Sequence, residues 1–176
     1  MRRQQFLVFR VYRFHDTGAY GELYDLYHDR IYRYLHFKLP KPEDTDELTA
    51  EVFLRGWEYA TSSHVENVNA LFYRIARNLI ADFYRRRVEE EGIDSAHEIA
   101  VDDAMLERLA VKEEVKELMK AIYALKDEYR DVLIMRYLDD MNASDIAEAL
   151  EKTPNNIRVT LHRAKRALEE QMGNQS

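Results

Sequence analysis

Two segments of the sequence combine many cationic side chains with asparagines, a chemistry suited to nucleic acid. Between residues 74 and 87 there are five arginines and one acid, and between residues 152 and 168 there are five cations and no acid. Arginine and lysine neutralise backbone phosphates, while arginine and asparagine also bind base edges. The sequence therefore indicates two DNA-contacting segments, with the cations Arg74, Arg77, Arg85, Arg86 and Arg87 in the first and Lys152, Arg158, Arg163, Lys165 and Arg166 in the second.

Groups that would support an enzyme are sparse. The chain has no cysteine, which excludes thiolate nucleophiles and zinc sites built on cysteine. His97 beside Glu98, and Asp102 beside Asp103, are chain neighbours in an irregular segment and lack the spacing of a metal site on a helix. The sequence also lacks a glycine-rich loop that could cradle a phosphate. We therefore expect no catalytic residue, no metal ion and no cofactor.

An acidic segment separates the two basic ones. Residues 89 to 107 contain eight acids and neither lysine nor arginine, so they carry more negative charge than the net −7 of the whole chain. No sustained helical period runs through them. We interpret residues 89–110 as a flexible linker between two domains, residues 1–88 and 111–176. An irregular loop within one domain is the alternative.

Helices are the elements expected to position the first basic segment. Glycine and proline are scarce, which favours helices over sheets. Apolar residues at spacings of three and four over residues 20–35 mark one amphipathic helix. Asp44 or Thr45 is expected to cap a second helix, residues 61–69 to form a polar loop, and a third helix to begin at Ala70.

The second basic segment follows a helix-turn-helix pattern. Asn142 is the predicted N-cap of a short helix, with Asp145 as its reciprocal partner. Thr153 followed by Pro154 is a start signal for a longer helix. A short helix, a turn of about three residues and a longer basic helix is the order typical of this DNA-binding motif.

The longer helix is predicted to have one apolar and one polar face. Ile157, Leu161, Ala164 and Leu168 recur at offsets of four, three and four, which predicts a buried stripe. In this motif the N-terminal part of such a helix enters the major groove. A solvated basic surface is the alternative. We predict DNA contact by the residues that lie off the stripe, which are Asn155, Asn156, Arg158, Val159, His162, Arg163 and Arg166.

The sequence offers nothing suited to a membrane. Apolar runs such as Phe6–Phe9 and Val132–Met135 are four residues long, whereas a spanning helix needs about 20. Arg2 and Arg3 make a basic start, but no continuous apolar signal-peptide core follows them. We therefore expect no membrane insertion and a cytoplasmic location.

A family resemblance rests on four segments: DELTAEVFLRGWEYA (46–60), LFYRIARNLIADFYRRR (71–87) and TPNNIRVTLHRAKRAL (153–168), the last of them preceded by YALKDEYRDVLIMRYLDDMNASDIAEAL (123–150). Together they resemble the extracytoplasmic-function sigma factors of bacterial RNA polymerase. The first is similar to the polymerase-clamp-binding helix of sigma region 2, the second to the helix that reads the −10 promoter element, and the third to the −35-reading part of region 4. Glu151 stands where this family often has glycine in the helix-turn-helix turn.

The resemblance implies an all-α protein of two small domains, the second a helix-turn-helix, that helps to open promoters without catalysing a reaction. It assigns −35 recognition to the helix-turn-helix residues named above. It assigns the −10 element to the loop of residues 62–69 and the helix after it, through Asn67, Asn69, Arg74, Arg77, Asn78, Arg85, Arg86 and Arg87. It assigns polymerase binding to Asp46, Glu47, Leu48, Glu51, Phe53 and Trp57, of which Phe53 and Trp57 are at least as compatible with the core.

The same resemblance implies the partners. Core RNA polymerase and promoter DNA are expected, and the free chain is expected to be a monomer. Many members of the family are held inactive by an anti-sigma factor, an option that no residue of this chain decides. Two rival functions stay open: a dimeric helix-turn-helix regulator that binds DNA alone, and a helical protein-interaction module that does not touch DNA.

Overall fold

The computed structural model describes residues 3–91 and 113–173. Every regular element in these two ranges is helical, which confirms the all-α prediction. Contacts divide the chain into two compact units, Met1–His97 and Glu98–Ser176. The predicted domain limits remain a prediction, because most of the acidic segment, with its His97–Glu98 and Asp102–Asp103 pairs, lies outside the described residues.

The first unit is built on long helices. Among its described residues they are α1 (Arg3–Phe14), α2 (Thr17–His36), α3 (Pro42–Ser62) and α4 (Val68–Glu91). α2 covers the predicted amphipathic segment and begins at an N-cap, Asp16, whose side chain accepts a hydrogen bond from the Ala19 amide at 2.9 Å. This cap satisfies one of the free amides at the helix start.

The start of α3 differs from the prediction. The N-cap is Lys41, which makes no side-chain capping bond, and Pro42 is the first helical residue. Proline fixes φ near the helical value and has no amide hydrogen to satisfy, so it starts the helix earlier than the capping signal indicated. The predicted caps lie inside the helix: Asp44 is in the first turn, and the Thr45 hydroxyl donates to the Lys41 carbonyl at 3.2 Å.

The loop before the basic helix is shorter than predicted. α3 continues through Ser62, and α4 begins at Val68 rather than at Ala70. The Asn67 side chain accepts a hydrogen bond from the Ala70 amide at 3.2 Å, which is the geometry of an N-cap. At its other end α4 continues to Glu91, so the first three residues of the predicted linker are helical.

The core of the first unit is aromatic. Its largest fully buried side chains include Tyr27, Tyr34, Phe37, Phe72 and Tyr73. Their rings meet at tilted or edge-on angles, for example Tyr34 and Tyr73 with centroids 5.2 Å apart, an arrangement that aromatic quadrupoles favour. Large rings leave room only for a small residue where α3 crosses them, so position 56, where α3 faces the Phe72 ring, is glycine.

The second unit is built from shorter elements, again within its described part. They are α5 (Glu113–Tyr123), α6 (Asp127–Leu133), a π-helical segment (Ile134–Leu138), α7 (Ala143–Leu150) and α8 (Pro154–Gly173). α7, a three-residue turn and α8 form the predicted helix-turn-helix. Its hydrophobic core is largely aliphatic, with Ile134, Ile146 and Ile157 fully buried.

Local capping sets the geometry of the motif. Asn142 accepts hydrogen bonds from the amides of Ser144 and Asp145 at 2.9 and 3.0 Å, which confirms the predicted cap. The two residues are also joined in the reverse direction, because the Asn142 side-chain amide donates to the Asp145 carboxylate at 2.9 Å. At the end of α7, Glu151 adopts a left-handed conformation (φ 54°, ψ 42°), which favours glycine.

A buried arginine joins α5 to α6. Arg130 is 8% exposed, and its Nη2 donates to the carbonyls of Tyr123 and Leu125 at 2.7 and 3.0 Å. These carbonyls lie at or just beyond the C-terminal end of α5, where backbone acceptors have no partner within the helix. The guanidinium also lies over the Tyr123 ring. Arg130 therefore links α6 to the C-terminal end of α5, just before the helix-turn-helix in the chain.

Candidate nucleic-acid interface

The polar face of α8 is solvent-exposed along its whole predicted length. Ile157 and Ala164 are fully buried and Leu161 and Leu168 half-buried, so the predicted stripe faces the core. The Thr153 hydroxyl accepts from the Asn156 amide at 3.2 Å, as predicted for the cap. Opposite the stripe, the structure exposes all seven predicted DNA-contacting side chains, which are Asn155, Asn156, Arg158, Val159, His162, Arg163 and Arg166.

Polar groups beside α8 shape its electrostatics. Lys152, in the turn, forms an ion pair with Glu128 of α6 at 2.8 Å. Hydrogen bonding and charge from Lys152, with further contributions from Thr160 and Arg163, hold the pKa of Glu128 below its usual range. The carboxylate is therefore ionised at neutral pH and restrains Lys152, while the cations further along α8 remain exposed.

The basic helix α4 presents its cations in two groups. Arg74 and Arg77 are half-buried and Asn78 is exposed. The Arg74 guanidinium lies 6.0 Å from the Tyr59 ring centroid, within the range of a cation–π contact. Further along, Arg85, Arg86 and Arg87 form a cluster in which Arg85 is ion-paired with Asp82 and Arg87 lies over the Phe83 ring.

The loop predicted to bind a base of the −10 element is reduced in the structure to the residues between Ser62 and Val68. Asn67 acts as the cap of α4, and Asn69 is half-buried, with an Oδ1 that has no hydrogen-bond partner among the described residues. A cleft lies between α3 and α4, with a volume of about 390 Å³ and a lining of Arg55, Glu58, Tyr59, Ser62, Ile75 and Asn78.

The residue patterns did not single out the α3 side of this cleft. Arg55, Glu58, Tyr59 and Ser62 recur at offsets of three, one and three, which places them on one face of a helix. The same face meets Ile75 and Asn78 of α4, which are three residues apart. The signal that was missed is the helical spacing of these residues on both α3 and α4. This spacing becomes informative only once the two helices are known to be neighbours.

The acidic side of α3 divides into exposed and buried parts. Asp46 and Glu47 are exposed, and Glu51 forms an ion pair with Arg55 at 2.7 Å. Leu48 and Phe53, by contrast, are 6% and 5% exposed. Hydrophobic packing therefore places these two residues in the core of the first unit, and their contact with polymerase stays a prediction.

Trp57 lies between these extremes. It is half-buried, and its ring meets the Tyr20 ring edge-on at 5.1 Å. The Tyr20 hydroxyl donates to the Phe53 carbonyl, and burial raises the pKa of Tyr20 above its usual range, so this donor stays protonated. The part of Trp57 that remains exposed is available to a partner.

Neither a membrane helix nor a metal cluster is found in the described ranges. Each helix within residues 3–91 and 113–173 is too short or too polar to cross a bilayer. The same residues contain no group of three or more histidine, aspartate or glutamate side chains arranged to hold a metal ion.

Comparisons with known proteins identify both units. The model for sigma-70 region 2 matches residues 23–89, and that for sigma-70 region 4 matches residues 116–168. The chain is also 25% identical over 169 residues to the ECF RNA polymerase sigma factor SigW of Bacillus subtilis (strain 168), covering 89% of this chain and 90% of SigW. The chain belongs to the extracytoplasmic-function sigma factors.

Solved structures agree with the fold of this sigma factor. CnrH in complex with the cytosolic domain of CnrY matches with a TM-score of 0.74 and 16% identity, covering 99% of this chain and all of CnrH. The sigma factor RpoE, in complex with the anti-sigma factor NepR from Bartonella quintana, matches with a TM-score of 0.70 and 17% identity, covering 87% and 96% of the two chains. The region 2 match includes the cleft and α4 as far as residue 89, and the region 4 match includes α8 as far as residue 168.

Proposed function

We propose that this sigma factor directs core RNA polymerase to promoters by reading the −35 element with α8. The observation that carries the proposal is the exposure of seven polar, cationic or small apolar side chains on one face of a helix matched by sigma region 4. Arg158, Arg163 and Arg166 can contact phosphates or guanine edges, Asn155 and Asn156 can pair with adenine, and Val159 can touch a thymine methyl group.

The cleft of the first unit is proposed to hold a base of the −10 element after it leaves the stack. Enzymes and factors that extrude a base bind it by stacking on aromatic side chains and by hydrogen bonds to its edge. Tyr59 supplies an exposed ring, Asn78 an amide with both a donor and an acceptor, and Arg55 and Glu58 further polar groups. Arg74, beside Tyr59, would hold the backbone of the melted strand.

The remaining cations of α4 have a supporting role in this proposal. Arg85 and Arg86 are exposed and Arg87 is half-buried, so the cluster can contact phosphates next to the melted bases. The pair between Arg85 and Asp82 must open or be shared for Arg85 to do so. Asn67 caps α4 and Asn69 lies in its first turn, so both are placed at the start of the helix proposed to read the −10 element.

Polymerase binding is proposed for the acidic side of α3. Asp46 and Glu47 are free to meet a basic surface, and the exposed part of Trp57 adds apolar contact area. Leu48 and Phe53 keep α3 in place from the core side. An exposed acid on α2, Asp29, offers a matched control because its side chain is 94% exposed.

Four further parts of the proposal concern activity, location, oligomeric state and regulation. The protein has no catalytic activity of its own and acts in the cytoplasm, where polymerase and promoters are found. It is a monomer until it joins the polymerase. An anti-sigma factor is proposed as a regulator, supported by the two similar sigma factors that were solved as complexes with such partners or with a cytosolic partner domain.

Binding of the reconstituted holoenzyme to two DNA probes tests the two DNA sites separately. One probe is a duplex that carries the −35 region, and the other adds a −10 region that is already melted. Arg158→Ala should weaken binding to both and lower the slope of log affinity against log salt by about 1 if the contact is to phosphate. Lys120→Ala, which removes a cation from α5 outside the site, should change neither.

The cleft is tested with the same probes. Tyr59→Ala and Asn78→Ala should weaken binding to the melted probe by roughly fivefold to 100-fold, the range expected for losing one stacked base, and leave the duplex unaffected. Tyr137→Ala, which removes an exposed tyrosine of the second unit, is the matched control. Equal losses on both probes would exclude the cleft as the base-binding site.

Polymerase binding is tested by charge reversal. Asp46→Lys and Glu47→Lys should lower the affinity for core polymerase, and Asp29→Lys should not. If all three variants bind core polymerase equally well, the acidic side of α3 is a solvated surface.

A further inference from the structure

The first helix, α1, has an exposed aromatic surface outside the residues matched by sigma region 2. α1 ends before residue 23, where that match begins. Its core-facing side is buried and consists of Leu7, Val8 and Val11. Three large rings on the rest of its surface stay about half exposed or more, Phe6 at 50%, Phe9 at 45% and Phe14 at 66%. Exposed apolar side chains that are grouped, unlike scattered ones, mark interaction sites.

Arginines share this surface with the phenylalanines. One side of the helix is formed, at offsets of three, one and three, by Phe6, Phe9, Arg10 and Arg13. The Arg10 guanidinium lies 5.9 Å from the Phe6 ring centroid, and the Arg13 guanidinium lies 6.0 Å from the Phe14 ring centroid. α1 contains no acid. Its exposed side therefore alternates aromatic rings with positive charges.

The arginines of α1 differ in how far their charge is already neutralised. Arg3 pairs with Glu22 at 2.8 Å, and Arg10 pairs with Asp16, the N-cap of α2, at 2.6 Å. Arg13 is exposed and is paired with no acid among the described residues. Arg13 is therefore the cation of this side that is available to a phosphate.

α1 lies beside the proposed −10 site. It contacts both α3 and α4. The Tyr12 ring meets the His64 ring edge-on, with centroids 6.1 Å apart, and His64 lies in the loop between α3 and α4. Tyr12 is itself 40% exposed and follows Phe9 by three residues, one turn along the helix. The aromatic surface therefore extends from Phe9 to the loop that leads into α4.

We propose that this exposed side of α1 binds single-stranded DNA, namely the part of the melted promoter strand that adjoins the base held in the cleft. The inference rests on the proposed −10 function of the cleft. Surfaces that bind single strands combine aromatic side chains, on which successive bases stack, with cations that hold the backbone. Phe6 and Phe9 supply the rings, and Arg13 supplies the phosphate contact.

The arrangement of charge favours a single strand over a lipid surface. A helix that lies on a membrane directs an apolar face to the lipid and a charged face away from it. In α1 the continuous apolar side is buried in the first unit, and the arginines lie among the phenylalanines on the exposed side. Alternating rings and cations match the alternating bases and phosphates of a nucleic acid strand.

Two melted probes test the inference with the reconstituted holoenzyme. Both carry the −35 duplex and the −10 bases, but the short probe ends at the −10 bases and the long probe continues as a single strand. Wild type should bind the long probe more tightly. Phe9→Ala should weaken binding to the long probe by roughly fivefold to 100-fold, the range expected for losing one stacked base, and leave the short probe unaffected. Phe9→Tyr, which keeps a ring, should bind both probes as wild type does.

The charge contact is tested by salt dependence. Arg13→Ala should lower the slope of log affinity against log salt by about 0.7 on the long probe, as expected for one phosphate contact to a single strand. The slope on the short probe should not change. Lys126→Ala, which removes an exposed cation of the second unit, should change neither slope.

Abasic sites in the extension of the long probe test stacking directly. They should weaken binding of wild type as much as Phe9→Ala does, and they should cause no further loss in Phe9→Ala, because the two changes remove the same contact. Additive losses would show that Phe9 does not stack on these bases and would overturn the inference. Urea unfolding followed by Trp57 fluorescence shows whether Phe9→Ala retains the fold of the first unit.

The outcomes separate this inference from the function on which it rests. If Tyr59→Ala weakens binding to the short probe but Phe9→Ala affects neither probe, the cleft stands and the role of α1 is overturned. If Tyr59→Ala affects neither probe but Phe9→Ala weakens the long one, the contact of α1 stands and the cleft proposal fails. Equal affinity of wild type for the two probes would also overturn the role of α1.

Two other partners of this surface are outcomes of the same experiment. If Phe9→Ala binds both probes as wild type does but loses affinity for core polymerase, the exposed side of α1 is a protein contact. If it instead loses binding to vesicles of phosphatidylglycerol that wild type binds, the side is a membrane contact. Either result overturns the assignment to single-stranded DNA.

Discussion

The two units of this sigma factor are stabilised in different ways. The first is held by aromatic rings that come from positions far apart in the sequence, as when Tyr20 on α2 binds the carbonyl of Phe53 on α3. The second is held by hydrogen bonds between residues close together in the sequence, such as the one that Asn142 accepts from the Ser144 amide and the one that Arg130 donates to the Tyr123 carbonyl. A site on a helix that is defined by local caps and apolar periodicity can therefore be predicted from the sequence. A site formed between two packed helices cannot, because the sequence does not show which helices are neighbours.

The largest expected effect tests the tight packing of the first unit. A Cβ at position 56 would lie 2.5 Å from the Phe72 ring and 2.8 Å from the Tyr20 hydroxyl. Gly56→Ala should therefore push α3 away from its neighbours and lower the free energy of unfolding by about 3 kcal/mol. The sequence contains one tryptophan, Trp57, so its fluorescence in urea reports on the first unit alone.

Gly21→Ala is the matched control for that experiment. A Cβ at position 21 would meet nothing within 4 Å, so alanine in this α2 position should raise stability by about 0.5–1 kcal/mol. Equal effects at the two glycines would contradict tight packing at position 56.

The second effect tests the hydrogen-bonded framework of region 4. Arg130→Met removes the donor for two carbonyls at the end of α5, and leaving buried acceptors unpaired should cost about 2 kcal/mol. Far-UV circular dichroism in urea should show the loss, while the Trp57 transition stays unchanged. Arg136→Met, which removes an exposed arginine bound to one carbonyl, should cost much less. A shift in the Trp57 transition would contradict a role of Arg130 confined to the second unit.

A smaller effect sharpens the comparison at the helix-turn-helix turn. Glu151 has a left-handed backbone conformation, which costs roughly 1–2 kcal/mol for a residue with a Cβ. Glu151→Gly should stabilise the second unit by about 1 kcal/mol, the gain being reduced by the greater freedom of glycine in the unfolded chain. Glu151→Ala removes the same charge but keeps the Cβ, and should give no gain. Equal gains would assign the effect to charge.

The smallest effect is a pH dependence in the first unit. The Ala19 amide and the Arg10 guanidinium lower the pKa of Asp16 in the folded state. Its contribution is therefore complete above the unfolded pKa, about 4, and is lost as the pH falls through the lower folded value. Asp16→Asn keeps a capping side chain without the charge. Below pH 4, the midpoint of its urea unfolding, followed by Trp57 fluorescence, should therefore fall less than that of wild type. Parallel pH profiles would contradict a stabilising charge at Asp16.

The success of the sequence-based prediction follows the same division. The caps Asn142 and Thr153 and the stripe through Ile157 are local signals, and they located α7, α8 and the exposed face of α8 correctly. The α3–α4 cleft was missed because no residue within one segment shows that Tyr59 and Asn78 are neighbours. The sequence left Phe53 open between a polymerase contact and the core for a related reason: an apolar residue beside acids gives the same pattern whether it faces a partner or the core.

Run-off transcription tests the central claim most directly. Core polymerase with this chain should give promoter-dependent transcripts from a fragment library, and Arg158→Ala with Arg163→Ala should weaken them. Promoter selection by this chain is contradicted if no transcript depends on it while the protein alone binds duplex DNA tightly, because it would then act as an independent helix-turn-helix regulator.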